Sequence, residues 1–271
     1  MNKFPSRYQL TADQSYQPVY QKTSKRITNA LRKQGKKQNP QDVRQDLLTD
    51  LIQLHIERPE FTETYLRRLA VTNFGAGHET MCSALTAAMA MIGSHPNVQL
   101  NVANEVRAAH EPSVYDNAVR LRYTQASIKE AQRLHPVIGM SLSRKVPPGG
   151  LSLHGHHLPA GTTVGCNPVG LHCNSEIFGA DSHLFNPDRW LQDEFPAKLR
   201  MMERCNLTWG GGGRVCPGRH LAELVVYKVI PAVLREFDIE ITDMPDEQDT
   251  PSYFMAMLSG VKAKFIPVAG I

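Results

Sequence analysis

The stretch that most constrains this chain is Trp209-Gly210-Gly211-Gly212-Gly213-Arg214-Val215-Cys216-Pro217-Gly218. Glycines let a backbone turn tightly and approach a flat ligand closely. The apolar run from His220 to Phe237 that follows reads as a helix. Cys216 is therefore presented at a helix start, with the Arg214 cation two residues earlier. A helix N-terminal dipole and a neighbouring positive charge both favour thiolate, the form of cysteine that ligates metals. Two other readings stay open on these residues alone. Glycine runs before a helix also cradle phosphate, although the Lys-Ser/Thr ending of a Walker loop is absent here. The cysteine could equally be a buried, inert one.

Around that loop the chain reads as helices first, then short strands and loops, then a last helix. Tyr20 to Lys37 is a basic helical stretch, broken by Gly35 and Asn39-Pro40. Val43, Leu47, Leu48, Leu51, Ile52 and Leu54 have near-helical spacing over Asp42 to Ile56. A long helix is predicted over about 59–94, opened by Pro59 and closed by Gly93-Ser94-His95-Pro96. Val98 to His110 and Val119 to Leu134 follow as helices, the second stopped at His135-Pro136. From Pro147 to Gly170 the chain is rich in Gly, Pro and Thr, with strands expected at Leu151 to Leu153 and Thr162 to Cys166. Ser175 to Pro196 reads as loop, and Ile239 to Ile271 as one or two hairpin strands. This order is α+β, mainly helical with small sheets, and not alternating α/β. Residues 1–16 are polar, aperiodic and expected to fray.

Three further groups of residues carry chemistry. Gly75 and Gly77 sit inside the long helix, where each costs about 1 kcal/mol relative to alanine. Such glycines fit close approach of another group to the helix, either a ligand or a packed neighbour. Glu79 and Thr80 follow directly. Threonine can disturb helix hydrogen bonds and hold a water, and an acid beside it can relay protons. Glu130 and Arg133, at i and i+3, share a helix face and can pair. Arg144 follows that helix in Ser141-Leu142-Ser143-Arg144.

Together these motifs resemble the cytochrome P-450 family. Trp209 stands where phenylalanine is usual in the haem-binding signature, and Gly212, Arg214, Cys216 and Gly218 match it. Ala76-Gly77-His78-Glu79-Thr80 is similar to the oxygen-binding groove of the family. Glu130-Ala131-Gln132-Arg133, with Arg189 in Phe185-Asn186-Pro187-Asp188-Arg189-Trp190, resembles its Glu-Arg-Arg triad.

The resemblance implies haem b (iron protoporphyrin IX) with Cys216 as the axial ligand, and Arg214 and Arg144 on its propionates. It implies Glu79 and Thr80 in proton delivery, and Glu130, Arg133 and Arg189 in a buried network that organises the haem loop. It further implies a monooxygenase that oxidises a small organic substrate with O2 and electrons from an NADPH-dependent cytochrome P-450 reductase. The motif spellings look most like fungal microsomal members, which sit on the endoplasmic reticulum. The match runs from about Thr23 onward and resembles the C-terminal half of the fold. Residues 17–271 are thus expected to form an incomplete haem domain that lacks the N-terminal half and holds haem poorly. The alternatives are a silent remnant or interaction module that keeps the motifs without binding haem, and a fragment complemented by a chain carrying the earlier half.

Composition narrows the remaining classes. A net charge of +4 over 271 residues is too mild to argue for nucleic acid, and the cluster from Lys22 to Lys37 reads as a solvated helix face. Five cysteines without a Cys-x-x-Cys pair support neither a zinc ribbon nor a thioredoxin motif. His154, His156, His157, His172 and His183 lack zinc-finger spacing and read as ordinary loop and surface histidines. Met1 to Leu10 has no apolar core of signal-peptide length, and no run of eighteen apolar residues occurs. The resemblance therefore implies the endoplasmic reticulum membrane, and the lack of a visible spanning or signal segment leaves a cytoplasmic location as the alternative.

Overall fold

The computed structural model describes residues 12–32, 46–245 and 254–269, with side chains from residue 20 onward. Residues 1–11 of the segment expected to fray lie outside this set, as do Lys33, Gly35, Lys36, Lys37 and Asn39-Pro40. The chain divides into two compact units, Met1–Glu79 and Thr80–Ile271.

In the first unit, helix α1 (Ala12–Arg32), helix α2 (Leu47–Glu57) and the first part of helix α3 (Glu63–Gly93) surround a small core. Its centre is Ile27, Leu51, Ile52 and Leu66. Helix α2 starts at Leu47 because Asp46 caps it, accepting from the Thr49 amide at 3.0 Å. Arg26 reaches the same carboxylate at 2.8 Å and, as its nearest hydrogen-bond donor, holds Asp46 down at about 2. Arg67 joins α3 to α1 through the Thr28 hydroxyl at 2.9 Å.

The second unit contains the rest of α3, then helices α4 (Pro96–Ala108), α5 (Tyr115–Ala118) and α6 (Arg122–Leu134). Strands β1 (Leu142–Lys145), β2 (Leu151–Leu153), β3 (His156–Leu158) and β4 (Thr163–Cys166) come next. Short helices α7 (Pro168–His172) and α8 (Ser175–Phe178), a 3-10 turn at Pro187–Leu191 and helix α9 (Pro196–Cys205) lead to the glycine loop. Helix α10 (Arg219–Glu236) and the hairpin β5 (Phe237–Asp243) and β6 (Lys262–Pro267) complete the unit. Among the described residues the strands form three antiparallel pairs, β1–β4, β2–β3 and β5–β6.

The main core lies where α3, α4, α6, α10 and β5 meet, at Ile92, Val102, Val106, Ile128, Ala131, Ile230, Leu234 and Ile239. A second cluster, Ala126, Ile177, Phe178, Trp190 and Met202, packs on the other side of α6. Helix α6 is thus covered on both flanks, which explains how a polar sequence can be buried. Gly93 closes α3 at a point of close approach: a Cβ there would stand 2.8 Å from the Ile239 side chain. Gln99 clamps the same strand, donating to the Ile239 carbonyl at 3.0 Å and accepting from its amide at 2.6 Å.

Several expected boundaries move, each for a local reason. Helix α6 begins at Arg122 and not at Val119, because Glu105 of α4 accepts from the Tyr123 amide at 3.0 Å and the Thr124 amide at 2.7 Å. That carboxylate satisfies the first free amides of the helix. Ser175 to Pro196, read as loop, contains α8, capped by Asn174, and the 3-10 turn, capped by Asn186. Strands β1 and β3 and helix α9 lacked a clear pattern; β1 takes its register from β4, with Arg144 opposite Val164.

Candidate functional site: the cysteine loop and the buried network behind it

The loop is built by backbone hydrogen bonds between its ends. Cys216 donates its amide to the Trp209 carbonyl at 2.9 Å, and Gly210 donates to Leu207 at 2.8 Å. Gly210 (φ 76°) and Gly212 (φ 61°) occupy the left-handed region, where any side chain would add strain. A 3-10 turn at Gly212–Arg214 then leads to Cys216 and α10. The amide of Arg219 closes on the Cys216 carbonyl at 3.3 Å. The thiol is free and exposed. A Cβ on Gly218 would stand 3.9 Å from the sulfur, and none on Gly212 or Gly213 would meet anything within 4 Å.

Both candidate arginines are exposed. Arg144, carried by β1, donates to the Ser143 carbonyl at 2.9 Å and reaches the Gly211 carbonyl at 3.5 Å, which brings it to the loop. Arg214 lies within the loop itself. Trp209 is half-buried, with the Arg219 guanidinium over its ring at 5.9 Å. Val215 and Leu221 expose apolar side chains beside the cysteine, 45% and 63% accessible.

Behind the loop lies the most polar part of the core. Glu130 and Arg133 are fully buried, and Arg189 is 3% exposed. The Glu130 carboxylate accepts from Arg133 Nε at 2.8 Å and Nη2 at 2.7 Å, Arg189 Nε at 2.8 Å, Trp190 Nε1 at 2.8 Å and the Asn186 amide at 3.1 Å. Arg133 also donates to the carbonyls of His172 at 2.5 Å, Ser182 at 2.6 Å and Leu184 at 3.2 Å. Arg189 reaches the Phe178 carbonyl and the Asp181 carboxylate, the latter at 3.1 Å. The Asn186 side chain, donating Nδ2 at 2.8 Å, first, then Arg189, hold the Asp181 carboxyl below its usual range. Every charge here has several partners, which a buried ion cluster requires. Asn186 and Trp190 lie in the stretch that suggested Arg189, but their own contacts to Glu130 were not expected from sequence.

His172 corrects the sequence reading outright. It is not a loop or surface histidine: its accessibility is zero. The Leu207 amide points at Nε2 from 2.7 Å, and Nδ1 lies 2.9 Å from the Arg133 carbonyl. An N–H donating to Nε2 requires an unprotonated nitrogen there, so the ring proton sits on Nδ1 and donates to Arg133. Burial pushes the pKa of His172 from 6.5 down to about 4, the Arg133 cation adding to the effect and the hydrogen bond to the Arg133 carbonyl opposing it. No spacing rule flags this residue, since its partners lie 39 and 35 residues away.

That shift has a consequence for stability. Below pH 6.5 the unfolded chain protonates His172 while the folded chain does not until about pH 4. The histidine's contribution is therefore complete above 6.5 and lost as pH falls to about 4. Urea unfolding followed by tryptophan fluorescence is expected to show this loss, up to about 3 kcal/mol. The same experiment on His172→Gln is expected to lose that part of the pH dependence.

Gly77, Glu79 and Thr80 lie on α3, with Gly77 and Glu79 in the first unit and Thr80 at the start of the second. A Cβ on Gly77 would meet nothing within 4 Å, so among the described residues no neighbouring helix packs against this glycine. Phe74 and His78 stack on the same helix, ring centroids 5.6 Å apart. Glu79 and Thr80 are half-buried.

The fit to haem can be judged from the donor set. An exposed thiol, open glycines on its own loop, exposed apolar side chains and two exposed guanidinium groups suit a flat apolar ring with a metal at its centre and anionic substituents. The residues present fit the group.

Comparison with known proteins adds an independent line. A family model for cytochrome P-450 matches residues 4–265. The chain is 57% identical to the cytochrome P-450 monooxygenase sdnT of Sordaria araneosa, over 93% of this chain and 50% of that protein. It is 31% identical to the cytochrome P-450 monooxygenase ACRTS1 of Alternaria alternata, over 86% of this chain and 64% of that one. A pisatin demethylase of Fusarium vanettenii is 35% identical over 66% of this chain and 35% of its own length. The chain thus spans about half the length of the first of these relatives and less than two thirds of the others. No helix among the described residues is long and apolar enough to cross a membrane. With the family match covering nearly its whole length, and with motifs far apart in sequence meeting around one buried carboxylate, this chain belongs to the cytochrome P-450 family.

Proposed function

We propose that this chain carries the haem-thiolate site of a monooxygenase acting on a small organic molecule. The observation that carries the reading is the exposed Cys216 thiol on an open glycine loop that two guanidinium groups share. Cys216 sulfur would hold the haem iron. Gly212 and Gly213 leave room for a planar group against the backbone, since a Cβ on either would meet nothing. Arg214 and Arg144 pair with its carboxylates, for which the planar guanidinium offers two parallel donors. When bound, haem b supplies oxygen activation, and a thiolate ligand favours O–O cleavage.

The remaining residues handle protons and position. By the family resemblance, Glu79 would hold a proton and Thr80 would fix a water through which it could move. Gly77 keeps that flank of α3 free of side chain. Glu130, Arg133 and Arg189 react with nothing; they hold the loop in place. Electrons come from an NADPH-dependent cytochrome P-450 reductase, and a place on the endoplasmic reticulum is carried by the family resemblance alone.

One observation favours a second reading. Arg214, Val215, Cys216 and Gly218 are all exposed, as is Leu221, and a loop this open also suits a module that keeps the motif without the cofactor. Haem titration of the protein decides between the two. The expected result is saturable uptake of one haem per chain, weak because the loop lies open, with a thiolate-type carbon monoxide spectrum after reduction. Absence of saturable uptake would establish the second reading.

A further inference from the structure

The hydrogen bonds around His172 link two parts of the molecule that sequence places far apart. On one side is the carbonyl of Arg133, in the helix that carries the buried carboxylate; on the other is the amide of Leu207, whose own carbonyl accepts from Gly210 at the start of the cysteine loop. Two residues further, Trp209 accepts the amide of Cys216 at 2.9 Å. A second strand of the connection is weaker: the Thr208 hydroxyl reaches the Gln132 carbonyl at 3.5 Å and is held at 2.6 Å by Asn206. The imidazole is rigid, has zero accessibility and is braced by the edge-on ring of Phe178. It cannot swing without breaking a bond at each end.

From this geometry we infer that His172 is a positioning residue for Cys216: its imidazole fixes Leu207 against Arg133 and so sets where the cysteine loop stands on the buried network. This rests on the haem-thiolate reading for its purpose, but the mechanical link stands on the hydrogen bonds alone. Buried carboxylate and guanidinium groups are stiff because each has several partners, whereas a glycine loop has no side chains to hold it. A single bridging ring transfers the stiffness of the first to the second. The arrangement needs one donor and one acceptor on opposite sides of a short, flat group, which neutral imidazole supplies.

The test compares His172→Asn with His172→Gln in the full chain, read by residue-resolved amide hydrogen exchange without added haem. The asparagine can still donate towards Arg133 but is too short to reach Leu207; the glutamine can present a carbonyl to it. In His172→Asn, exchange at Leu207 and Cys216 is expected to quicken about tenfold, the effect of one lost hydrogen bond, while amides of α6 keep their rates. In His172→Gln the rates at both positions return towards those of the parent protein. Unchanged exchange at Cys216 in His172→Asn, or equal acceleration throughout α6, overturns the proposal. If His172→Asn fails to fold, His172→Phe takes its place, filling the volume without polar atoms; and a folded His172→Gln that leaves Cys216 unprotected overturns it too. With haem added, the thiolate fraction of the carbon monoxide complex should fall and recover in the same order. A parent protein that takes up no haem would refute the haem-thiolate reading while the exchange comparison still decided the linkage.

Discussion

Replacing Arg133 by alanine is expected to destabilise the protein by about 3–5 kcal/mol, the loss that follows when one partner of a buried ion pair is removed and the other stays. Arg133 has no accessible surface, and it supplies two of the hydrogen bonds to Glu130. Alanine would leave that carboxylate buried with Arg189, Trp190 and the Asn186 backbone amide, and would also leave the carbonyls of His172 and Ser182 without the Arg133 donor, with Leu184 keeping only the Arg189 contact at 3.4 Å. Neither loss can be repaired by water, because the surrounding residues, Phe178 and Trp190 among them, are themselves buried. Urea unfolding monitored by circular dichroism measures the effect. The exposed ion pair between Arg122 and Asp193 is the internal comparison: both side chains are about two-thirds accessible, so Arg122→Ala should leave the unfolding midpoint nearly unchanged. Equal effects from the two substitutions would mean that the network contributes no more than a surface pair.

Cys216→Ser is expected to do the opposite: to leave stability within about 0.5 kcal/mol of the parent, as exposed substitutions do, yet to abolish the thiolate-type spectrum. The sulfur is free and exposed. A serine hydroxyl at the same position is a hard, weakly acidic oxygen and a poor substitute for a soft thiolate on iron. Haem titration followed by reduction under carbon monoxide reads the outcome directly. A variant that kept the parent spectrum would show that another group, not Cys216, holds the metal. The pair of substitutions therefore separates architecture from chemistry: the expected loss of stability falls on Arg133, and the expected loss of the thiolate spectrum falls on Cys216.

The division of labour between loop and network also explains why the cysteine alone says little. A thiol at a helix start is common and inert in most settings. Here it stands on a backbone tied end to end by the Cys216–Trp209 bond and joined to a buried ion cluster through Leu207 and His172. One face of the loop is exposed, and its other side is tied to the buried network.

Much of this was legible in the sequence, because the features concerned are local. Four glycines, an arginine and a cysteine in one loop, a Glu-x-x-Arg pair at helical spacing, and a Gly-x-Glu-Thr run in a long helix are each set by neighbours a few residues apart. Helical spacing, Pro59 and the Gly93-Ser94-His95-Pro96 stop, and the apolar run after the loop foretold α2, α3 and α10 to within about five residues, and short apolar runs between turn residues foretold β2 and β4. Tertiary structure alone decided what lies between those motifs. Whether Glu130 is a surface charge or a buried hub depends on Phe178 and Trp190, brought in from more than forty residues away. The start of α6 depends on Glu105 of another helix, and the role of His172 on two backbone groups that no periodicity relates to it. A sequence determines which groups are present and how they repeat along one element. Desolvation and hydrogen-bond partners belong to the packing of several elements at once, and these give a buried carboxylate or a neutral histidine its function.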